Sequence, residues 1–295
     1  MSLKLKRDPR NPLLLPNPHN LWESNFIFNA GVIYDEKEDL FHMVYRAMGP
    51  DNISRIGYAV SMDGVHFSRL DKPVLSPANK WEEKGVEDPR LTKIDGKYYI
   101  LYTAFSRFGI KIAMASTTNF IRWERFGVII SEEKDKDAAL FPEKVDGKYM
   151  LYHRIEPDIW VSFSEDLIHW DEGYPIMFPR KNTWDSKKIG IGAPPIKTPY
   201  GWLMLYHGVD EDMVYRLGFA LFDLTNPTKL IKRTEEPILE PEEDYELFGQ
   251  VPNVVFSDAM IPYKNDYLIY YGGADTCIAL ARISKEEVEE KFLKG

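Results

Sequence analysis

An aromatic-rich strand pattern that follows a turn occurs five times along this chain. The copies are DEKEDLFHMVYRA (35–47), DGKYYILYTAF (95–105), DGKYMLYHRI (146–155), YGWLMLYHGV (200–209) and KNDYLIYYGGA (264–274). Their spacing of roughly 50 to 65 residues is close to the blade period of kelch-like propellers. Repetition at this period favours a radial arrangement of similar sheets over the two packed sheets of a sandwich, which would also contain short strands.

A shorter unit with a polar or proline-bearing start precedes each aromatic strand. The five units are FNAGVIY (28–34), VEDPRLTKI (86–94), LFPEKV (140–145), GAPPIK (192–197) and VPNVVF (251–256). Extended runs that contain turn-forming dipeptides follow most copies. Residues 1–295 are therefore predicted to form a single all-β domain, a five-bladed β-propeller. A short helix is predicted only at the C-terminus, where SKEEVEEKFLKG has Ser284 as its N-cap and ends at Gly295.

Composition excludes several classes of partner. A net charge of -9 argues against a nucleic-acid or anionic-membrane surface, since both need a basic face. Cys277 is the only cysteine and forms no internal disulfide, no apolar run reaches the length of a membrane helix, and the N-terminal leucine run is too short for a signal peptide. Zinc-binding spacings, the Gly-x-Gly-x-x-Gly motif and the Walker loop are lacking. We predict a soluble cytoplasmic protein without a metal or cofactor, and a homo-oligomer stays open.

Polar residues recur where the predicted inner strands begin and where the following strands end. The strand starts carry Asn29, Glu87 with Asp88, Glu143 with Lys144, Pro194 and Asn253, and the strand ends add Arg46, Thr103, His153 with Arg154, His207 and Asp275. Each residue alone is typical of an ordinary turn. Inner strands of a propeller line one central channel, however, so matching positions in all repeats favour a shared site. In that site Asp88 is the one strong acid candidate and faces several cations.

The ordered motifs resemble those of glycoside hydrolase family 130, the β-mannoside phosphorylases. The series is FNAG, VEDPR, LFPEKVDGKYMLYHR, KKIGIGAPPI, GWLMLYHG, VPNVVF and YYGGADT, and it covers residues 28 to 281. The resemblance implies a five-bladed propeller with Asp88 as the general acid. It places Asn29, Arg46 and Asp275 at the mannosyl unit or bordering the phosphate. The phosphate pocket that it implies contains Arg55, Lys136, Arg154, Lys188, His207 and Tyr215, of which Tyr215 is also assigned to sugar contact.

Two details of the sequence refine this resemblance. Many family members have Arg-Asn before LFP, whereas this chain has Lys136 and Asp137, which weakens a bidentate donor and adds an acid. The motif GVEDPR in a compact chain resembles that of members acting on mannobiose and short oligomannosides, including β-1,2-linked ones. Both β-1,2 and β-1,4 linkages stay open, and β-1,2 is slightly favoured.

The residues favour phosphorolysis over hydrolysis. Inverting hydrolases need a second carboxylate to activate water, but phosphate is already a nucleophile and needs only cations to hold it. We therefore predict an inverting phosphorylase that releases α-mannose 1-phosphate. The alternatives are an inverting β-mannosidase with Glu143 or Asp137 as its base, a non-catalytic propeller scaffold, and a furanosidase or fructosidase, which would need an Asp where this chain has Asn29.

Strand alternation also makes a prediction about the two charged neighbours of Asp88. In a regular strand Glu87 and Arg90 would point away from the side of Asp88. We expect both to form structural ion pairs or contacts between blades.

Overall fold

Nearly all of the regular secondary structure in the described residues is antiparallel β-sheet, which confirms the all-β prediction. The computed structural model describes residues 3–131 and 135–294. Near the N-terminus, strand β1 (Lys6–Arg7) is followed by one 3-10 turn (Leu21–Glu23). No helix in these ranges is long and apolar enough to cross a membrane.

Two four-stranded sheets occupy the first half of the chain. The first sheet consists of β2 (Phe26–Asp35), β3 (Leu40–Met48), β4 (Ser54–Ser61) and β5 (Ser68–Arg69). The second consists of β6 (Gly85–Ile94), β7 (Lys97–Ser106), β8 (Gly109–Thr117) and β9 (Glu124–Ile130). Within each sheet every strand pairs antiparallel with the next. One parallel pair, Ser54 with Gly85, joins the two sheets.

The third and fourth sheets follow the same order. The third consists of β10 (Asp135–Leu140), β11 (Tyr149–Ile155), β12 (Asp158–Ser164) and β13 (Tyr174–Met177). The fourth consists of β14 (Lys188–Ile191), β15 (Ile196–Thr198), β16 (Gly201–Val209), β17 (Tyr215–Phe222) and β18 (Leu230–Arg233). Strands β14 and β15 both pair with β16. Pro194 and Pro195 lie between them, and because proline has no N–H to donate, the first strand of this sheet is interrupted there.

Both ends of the described chain contribute to the fifth sheet. After the short helix α1 (Asp244–Leu247) come β19 (Val255–Tyr263), β20 (Asp266–Gly273) and β21 (Cys277–Ser284). The N-terminal strand β1 pairs antiparallel with β21, with Lys6 opposite Arg282. The first and last strands of the chain are therefore hydrogen-bonded neighbours.

The predicted C-terminal helix is present. It consists of α2 (Lys285–Val288) and a wider π-type turn (Glu289–Leu293). The hydroxyl of Ser284 accepts a hydrogen bond of 3.1 Å from the backbone N–H of Glu287, which confirms the predicted N-cap, while Gly295 lies outside the described residues. Helix α1 was not predicted, although Glu243 and Glu246 form a capping box at its start.

Apolar side chains form five buried clusters, and each cluster lies mainly between two sheets. The cluster containing Val86 and Val44 joins the first and second sheets, and the cluster containing Leu101 and Leu140 joins the second and third. Corresponding clusters join the third with the fourth, the fourth with the fifth, and the fifth with the first. Each sheet thus packs on two others, in chain order, and the last packs on the first.

Candidate active site

The first strands of four sheets carry a polar residue at a β-bulge. The register shifts at Asn29 in β2, at Asp88 in β6, at Asp137 in β10 and at Asp258 in β19. The backbone is left-handed at three of these residues, with φ of 50° at Asn29, 52° at Asp88 and 57° at Asp137. Asn and Asp tolerate this conformation better than most residues, and a bulge redirects the side chain at its centre. The bulges therefore aim four polar side chains differently from the rest of their strands.

Asp88 is buried and contacts groups from two other sheets. Its Oδ1 accepts a hydrogen bond of 2.8 Å from Asn29 Nδ2 and lies 3.0 Å from Arg46 Nη1, while Oδ2 lies 3.7 Å from Lys136 Nζ. Burial alone would raise the pKa of Asp88, but Arg46, Lys136 and the Asn29 amide outweigh it and hold that pKa below its usual range. Asn29, Arg46 and Lys136, all predicted as site residues, thus converge on the predicted acid.

Glu87 shares Arg46 with Asp88, which corrects the prediction from strand alternation. Glu87 Oε1 lies 2.7 Å from Arg46 Nη2 and accepts a hydrogen bond of 3.1 Å from Ser54 Oγ. The left-handed bulge at Asp88 breaks the two-residue alternation, so neighbouring side chains can reach the same guanidinium. Glu87 is in an ion pair as expected, but that ion pair borders the candidate acid.

Asp275 belongs to the same group of charges. It follows β20, is half-buried, and has a left-handed backbone with φ of 53°. Burial raises its pKa to about 6, with Asp88 and Glu87 adding to the rise and Arg46 and Lys136 opposing it. Asp275 therefore interacts electrostatically with both Arg46 and Lys136.

A second group of predicted residues lies around Asp137. Arg154 Nη1 is 3.1 Å and His207 Nε2 is 3.6 Å from Asp137 Oδ2. The Tyr215 ring stacks with the His207 ring at a centroid distance of 6.0 Å, and Lys188 Nζ lies 5.7 Å from the centre of the same tyrosine ring. Lys188 also pairs with Glu156 at 3.0 Å. Arg154, Lys188, His207 and Tyr215 therefore form one cluster, as predicted.

Lys136 links the two groups. Its pKa is raised because Asp137 and Asp88 outweigh the lowering effect of burial, so it remains an ammonium ion between two carboxylates. Burial lowers the pKa of His207 well below its usual range, an effect that Asp137 opposes and Arg154 reinforces. His207 is consequently neutral near pH 7 and has one N–H to donate.

Arg55 lies apart from this cluster. It pairs with Asp51, with Nη2 and Oδ2 2.7 Å apart, and donates to the carbonyl oxygen of Ile53 at 3.1 Å. Ser54, the residue before it in β4, donates a hydrogen bond from its hydroxyl to Glu87. Because neighbouring residues of a strand point to opposite faces, Arg55 points away from Glu87. Across residues 3–131 and 135–294 no hydrogen bond or ion pair connects Arg55 with the other predicted phosphate ligands. Its assignment as a phosphate ligand stays a prediction that the geometry does not support.

The two carboxylates considered as a hydrolytic base lie in very different places. Glu143 follows the end of β10, has a side chain that is 48% exposed, and pairs with Lys197. Asp137 is fully buried, and Arg154, Lys136, Arg90 and His207 outweigh the effect of burial and lower its pKa to about 2. Glu143 therefore forms a surface ion pair and has no contact with the candidate acid in the described residues, whereas Asp137 contacts Arg154 and His207.

Arg90 and Asp258 form a buried ion pair that the sequence analysis did not find. Arg90 Nη2 lies 2.7 Å from Asp258 Oδ1, and the same guanidinium donates to the carbonyl oxygens of Ile191 and Gly192 at 2.7 Å each. Burial raises the pKa of Asp258 well above its usual range, although Arg90 opposes that rise. Arg90 thus connects the second, fourth and fifth sheets beneath the candidate site, as the expected contact between sheets.

Asp258 had a detectable signal in the sequence. The bulges fall on Asn or Asp followed by a small residue or proline, in FNAG, EDPR, KDAA and SDAM. The repeated units align on their apolar and proline-bearing starts instead, and that alignment puts Glu143 and Asn253 where Asp137 and Asp258 belong. Pro194 likewise lies beyond the end of β14.

Several buried polar atoms of this region lack a hydrogen-bond partner within the described protein. They are Asn29 Oδ1, both carboxylate oxygens of Asp137 and of Asp258, Arg154 Nε and both ring nitrogens of His207. Buried polar groups are normally paired, so this set marks a place where a polar ligand can bind. Within the described ranges, no group of three or more His, Cys, Asp or Glu side chains is arranged to hold a metal ion.

Comparison with known proteins identifies relatives of this chain among the mannoside phosphorylases. Residues 4–293 match the glycoside hydrolase family 130 profile, described as β-1,4-mannooligosaccharide phosphorylase. A 1,2-β-oligomannan phosphorylase from Thermoanaerobacter sp. (strain X514) is 49% identical, with 97% of this chain and 99% of the relative covered. A β-1,2-mannobiose phosphorylase from the same organism is 48% identical over 97% of this chain and 99% of its own length.

Solved structures agree with the sequence relatives. The β-1,2-mannobiose phosphorylase from Listeria innocua, in complex with β-1,2-mannobiose, has a TM-score of 0.90 and 31% identity, with 99% of each chain covered. A second solved structure has a TM-score of 0.90 and 29% identity, with 97% of this chain and 95% of that chain covered. Its description states that the GH130 family of mannoside phosphorylases contains glycoside hydrolases that target β-1,2 mannosidic linkages in Candida mannan. A profile match over nearly the whole chain and relatives at almost half identity establish that this chain is a member of glycoside hydrolase family 130.

Proposed function

We propose that this enzyme is an inverting β-mannoside phosphorylase, a hexosyltransferase that cleaves β-mannobiose or short β-mannooligosaccharides with inorganic phosphate. The observation that carries the proposal is the arrangement of one buried acid, Asp88, beside a cluster of cations in a protein of net charge -9. Phosphate binding requires such cations, and a hydrolase has no use for them. The products are α-D-mannose 1-phosphate and a sugar shortened by one mannosyl unit.

The reaction is a single displacement at the anomeric carbon. A phosphate oxygen forms the new bond as the bond to the glycosidic oxygen breaks, and a proton passes from Asp88 to the leaving oxygen. The family resemblance implies that this proton travels through the mannosyl 3-hydroxyl. One displacement inverts the centre once, so a β-mannoside gives the α-phosphate.

Phosphate itself can prepare Asp88 for this role. Arg46 and Lys136 hold the pKa of Asp88 low, so the carboxyl is ionised. A bound phosphate brings negative charge next to Lys136 and offsets that effect, which raises the pKa of Asp88 and favours the protonated form. Phosphate binding and acid catalysis are thereby coupled through Lys136.

The remaining predicted residues divide between the two substrates. Lys136, Arg154, Lys188 and His207 supply N–H donors for the phosphate oxygens. Asn29 and Arg46 contact Asp88, Asp275 interacts electrostatically with it, and these three residues hold the mannosyl unit. Tyr215, in contact with His207 and near Lys188, borders both substrates.

The geometry disfavours the inverting hydrolase. A general base works best when its pKa lies near the working pH, but Asp137 has a pKa of about 2 and is surrounded by cations. Glu143 is paired with Lys197 outside the site. A non-catalytic scaffold would have no need for the buried, unpaired donors of Arg154 and His207.

The named relatives bear on the linkage. Both relatives at almost half identity act on β-1,2-linked oligomannan or mannobiose, whereas a β-1,4-mannooligosaccharide phosphorylase from Ruminococcus albus is 31% identical. We infer a preference for the β-1,2 linkage in this chain. A cytoplasmic location and a homo-oligomeric state remain predictions.

The five sheets are inferred to be the blades of a propeller that forms one domain. The apolar clusters connect the sheets in cyclic order and connect the last with the first. The first strands also contact one another in sequence, β2 with β6, β6 with β10 and β10 with β14, and β19 contacts β2. Contacts of this kind support a radial arrangement with the first strands at the axis.

One assay tests the function. The protein is incubated with β-1,2- or β-1,4-mannobiose, with and without phosphate, and the products are identified by proton NMR. We expect cleavage only with phosphate, release of α-mannose 1-phosphate, and faster turnover of the β-1,2 disaccharide. Equal cleavage to free mannose in phosphate-free buffer would instead establish the hydrolase.

A further inference from the structure

A buried carboxylate lies among the residues that are proposed to bind phosphate. Asp137 Oδ2 is 3.1 Å from Arg154 Nη1 and 3.6 Å from His207 Nε2, and Asp137 Oδ1 is 3.6 Å from Arg90 Nη2. Neither oxygen has a hydrogen-bond partner in the described protein, although the side chain is completely buried. A carboxylate can accept about four hydrogen bonds, so Asp137 has unused acceptor capacity.

This position is unexpected for an anion-binding site. A negative charge beside the cations opposes the binding of any anion, and the same cations could be held by neutral side chains. Arg90 already has a carboxylate partner in Asp258 at 2.7 Å. The lack of a hydrogen-bond partner at both oxygens of Asp137 is therefore better explained by a ligand that donates a hydrogen bond to them.

We propose that Asp137 accepts a hydrogen bond from a P–OH group of the bound phosphate and so selects a protonated tetrahedral anion over one without a proton. The inference rests on the proposed function, since it assigns a selectivity role within the same phosphate site. Inorganic phosphate carries at least one hydroxyl near neutral pH, whereas sulfate carries none.

The charge state of Asp137 supports this role. The titratable groups that influence it come from four elements, namely Arg90 of β6, Lys136 of β10, Arg154 of β11 and His207 of β16. They outweigh burial and lower its pKa to about 2, so near neutral pH the side chain accepts hydrogen bonds and donates none. Phosphate satisfies this acceptor with its hydroxyl, while sulfate would place a bare oxygen against a carboxylate in a buried site.

The experiment compares the binding of two anions. Isothermal titration calorimetry measures the dissociation constants of inorganic phosphate and of sulfate for the wild type, for Asp137→Asn and for Asp135→Asn. Asp135 is the matched control, because it is equally buried on the same strand but hydrogen-bonds to His153 at 2.7 Å. Circular dichroism establishes that the variants are folded.

We expect the wild type to bind sulfate roughly ten- to a hundredfold more weakly than phosphate, the size of a lost hydrogen bond to a charged group. Asp137→Asn should bind both anions with similar affinity, because an amide can donate to a sulfate oxygen. Asp135→Asn should discriminate like the wild type. Sulfate should also become a competitive inhibitor against phosphate in Asp137→Asn alone.

Three results would overturn the inference. They are equal affinity of the wild type for both anions, unchanged discrimination in Asp137→Asn, and equal loss of discrimination in Asp135→Asn, which would indicate a general effect of charge. The first needs no variant, so it holds even if Asp137→Asn does not fold. A wild type that binds no phosphate would contradict the proposed function itself, which is a different outcome.

Discussion

The side-chain amide of Asn29 donates a hydrogen bond of 2.8 Å to the carboxylate of Asp88, and both residues occupy the bulge of the first strand in their sheets. The two sheets thus place equivalent residues in direct contact. Because the amide donates to the carboxylate, it stabilises the ionised form of Asp88. A substrate hydroxyl that takes over this hydrogen bond would change the balance between the two protonation states of the acid.

Replacing Asp88 tests its role as the acid. Asp88→Asn should fold normally and lose activity by on the order of 100-fold or more, since an amide cannot protonate the leaving oxygen. Steady-state phosphorolysis of mannobiose measures the effect. Glu87→Gln is the comparison, because the glutamine oxygen can still accept from Arg46 and Ser54, and it should lose much less activity. Comparable turnover of Asp88→Asn and the wild type would remove Asp88 from the mechanism.

Lys188 tests the phosphate cluster. Lys188→Ala should raise the KM for phosphate by roughly ten- to a hundredfold, because a charge-assisted hydrogen bond contributes about 1.5 to 3 kcal/mol. The KM for mannobiose should change little. Lys197→Ala is the control, since this lysine pairs with exposed Glu143 and should leave both constants unchanged. The assignment fails if the two variants have the same KM for phosphate.

Asp275 predicts a pH dependence of substrate binding. Its pKa of about 6 means that the side chain is protonated below this pH and ionised above it. If the carboxylate accepts hydrogen bonds from mannosyl hydroxyls, kcat/KM for mannobiose should rise as the pH increases through about 6. The pH profile of Asp275→Asn should lack this inflection. A profile of the same shape in both proteins would assign the titration to another group.

The same pKa predicts a change in stability of known sign. The folded protein retains a proton on Asp275 that the unfolded chain, with its ordinary pKa of 3.8, has already released. The stability that this contributes is fully present below pH 3.8 and is lost as the pH rises through about 6. Urea unfolding of the wild type and of Asp275→Asn at several pH values measures the difference. The free energy of unfolding of the variant, relative to the wild type, should increase across this range.

The buried contacts of Arg90 predict that its replacement lowers the free energy of unfolding. Arg90→Met should lower the free energy of unfolding by about 3 kcal/mol or more, because Asp258 and two backbone carbonyl groups lose their buried donor. Arg107→Met removes an exposed ion pair with Glu83 and should lower the free energy of unfolding far less, because solvent screens exposed ion pairs. Denaturant unfolding compares the two variants. Similar losses in both would contradict a central role for Arg90.

How well the site could be predicted depended on where each motif lies in its strand. The unit VEDPRLTKI nearly coincides with β6 (Gly85–Ile94), so Asp88 was placed correctly at the start of a first strand. The unit LFPEKV begins at the last residue of β10, so Glu143 fell outside the sheet, and Asp137 was considered only as a base or as an extra acid beside Lys136. Repeats identify sheets well, but a bulge inserts one residue and shifts the alignment within them.

Contacts between sheets were the least accessible to sequence reasoning. The cluster of Lys188, His207 and Arg154 came from the family resemblance, and the structure brings these residues together around Asp137 and Tyr215. The groups that shift the pKa of His207 lie far from it in the sequence, as Asp137 and Arg90 do. For Arg55 the predicted phosphate contact has no support from the geometry, because the pairing of β4 with β3 directs Ser54 toward Glu87 and Arg55 to the opposite face.

The pairing of β1 with β21 has a consequence for the order in which the molecule folds. Residues 6 and 7 pair with residues 282 and 281, so the two sides of this contact are separated by nearly the whole chain. The sheet is complete only after the C-terminal strand has formed. Contacts of such long sequence separation form late and slow folding, because the loop between them must close first. During synthesis the four earlier sheets can form before β19, β20 and β21, the strands that complete the sheet of β1, have been made. The N-terminal segment therefore remains available to proteases and chaperones until translation is almost finished.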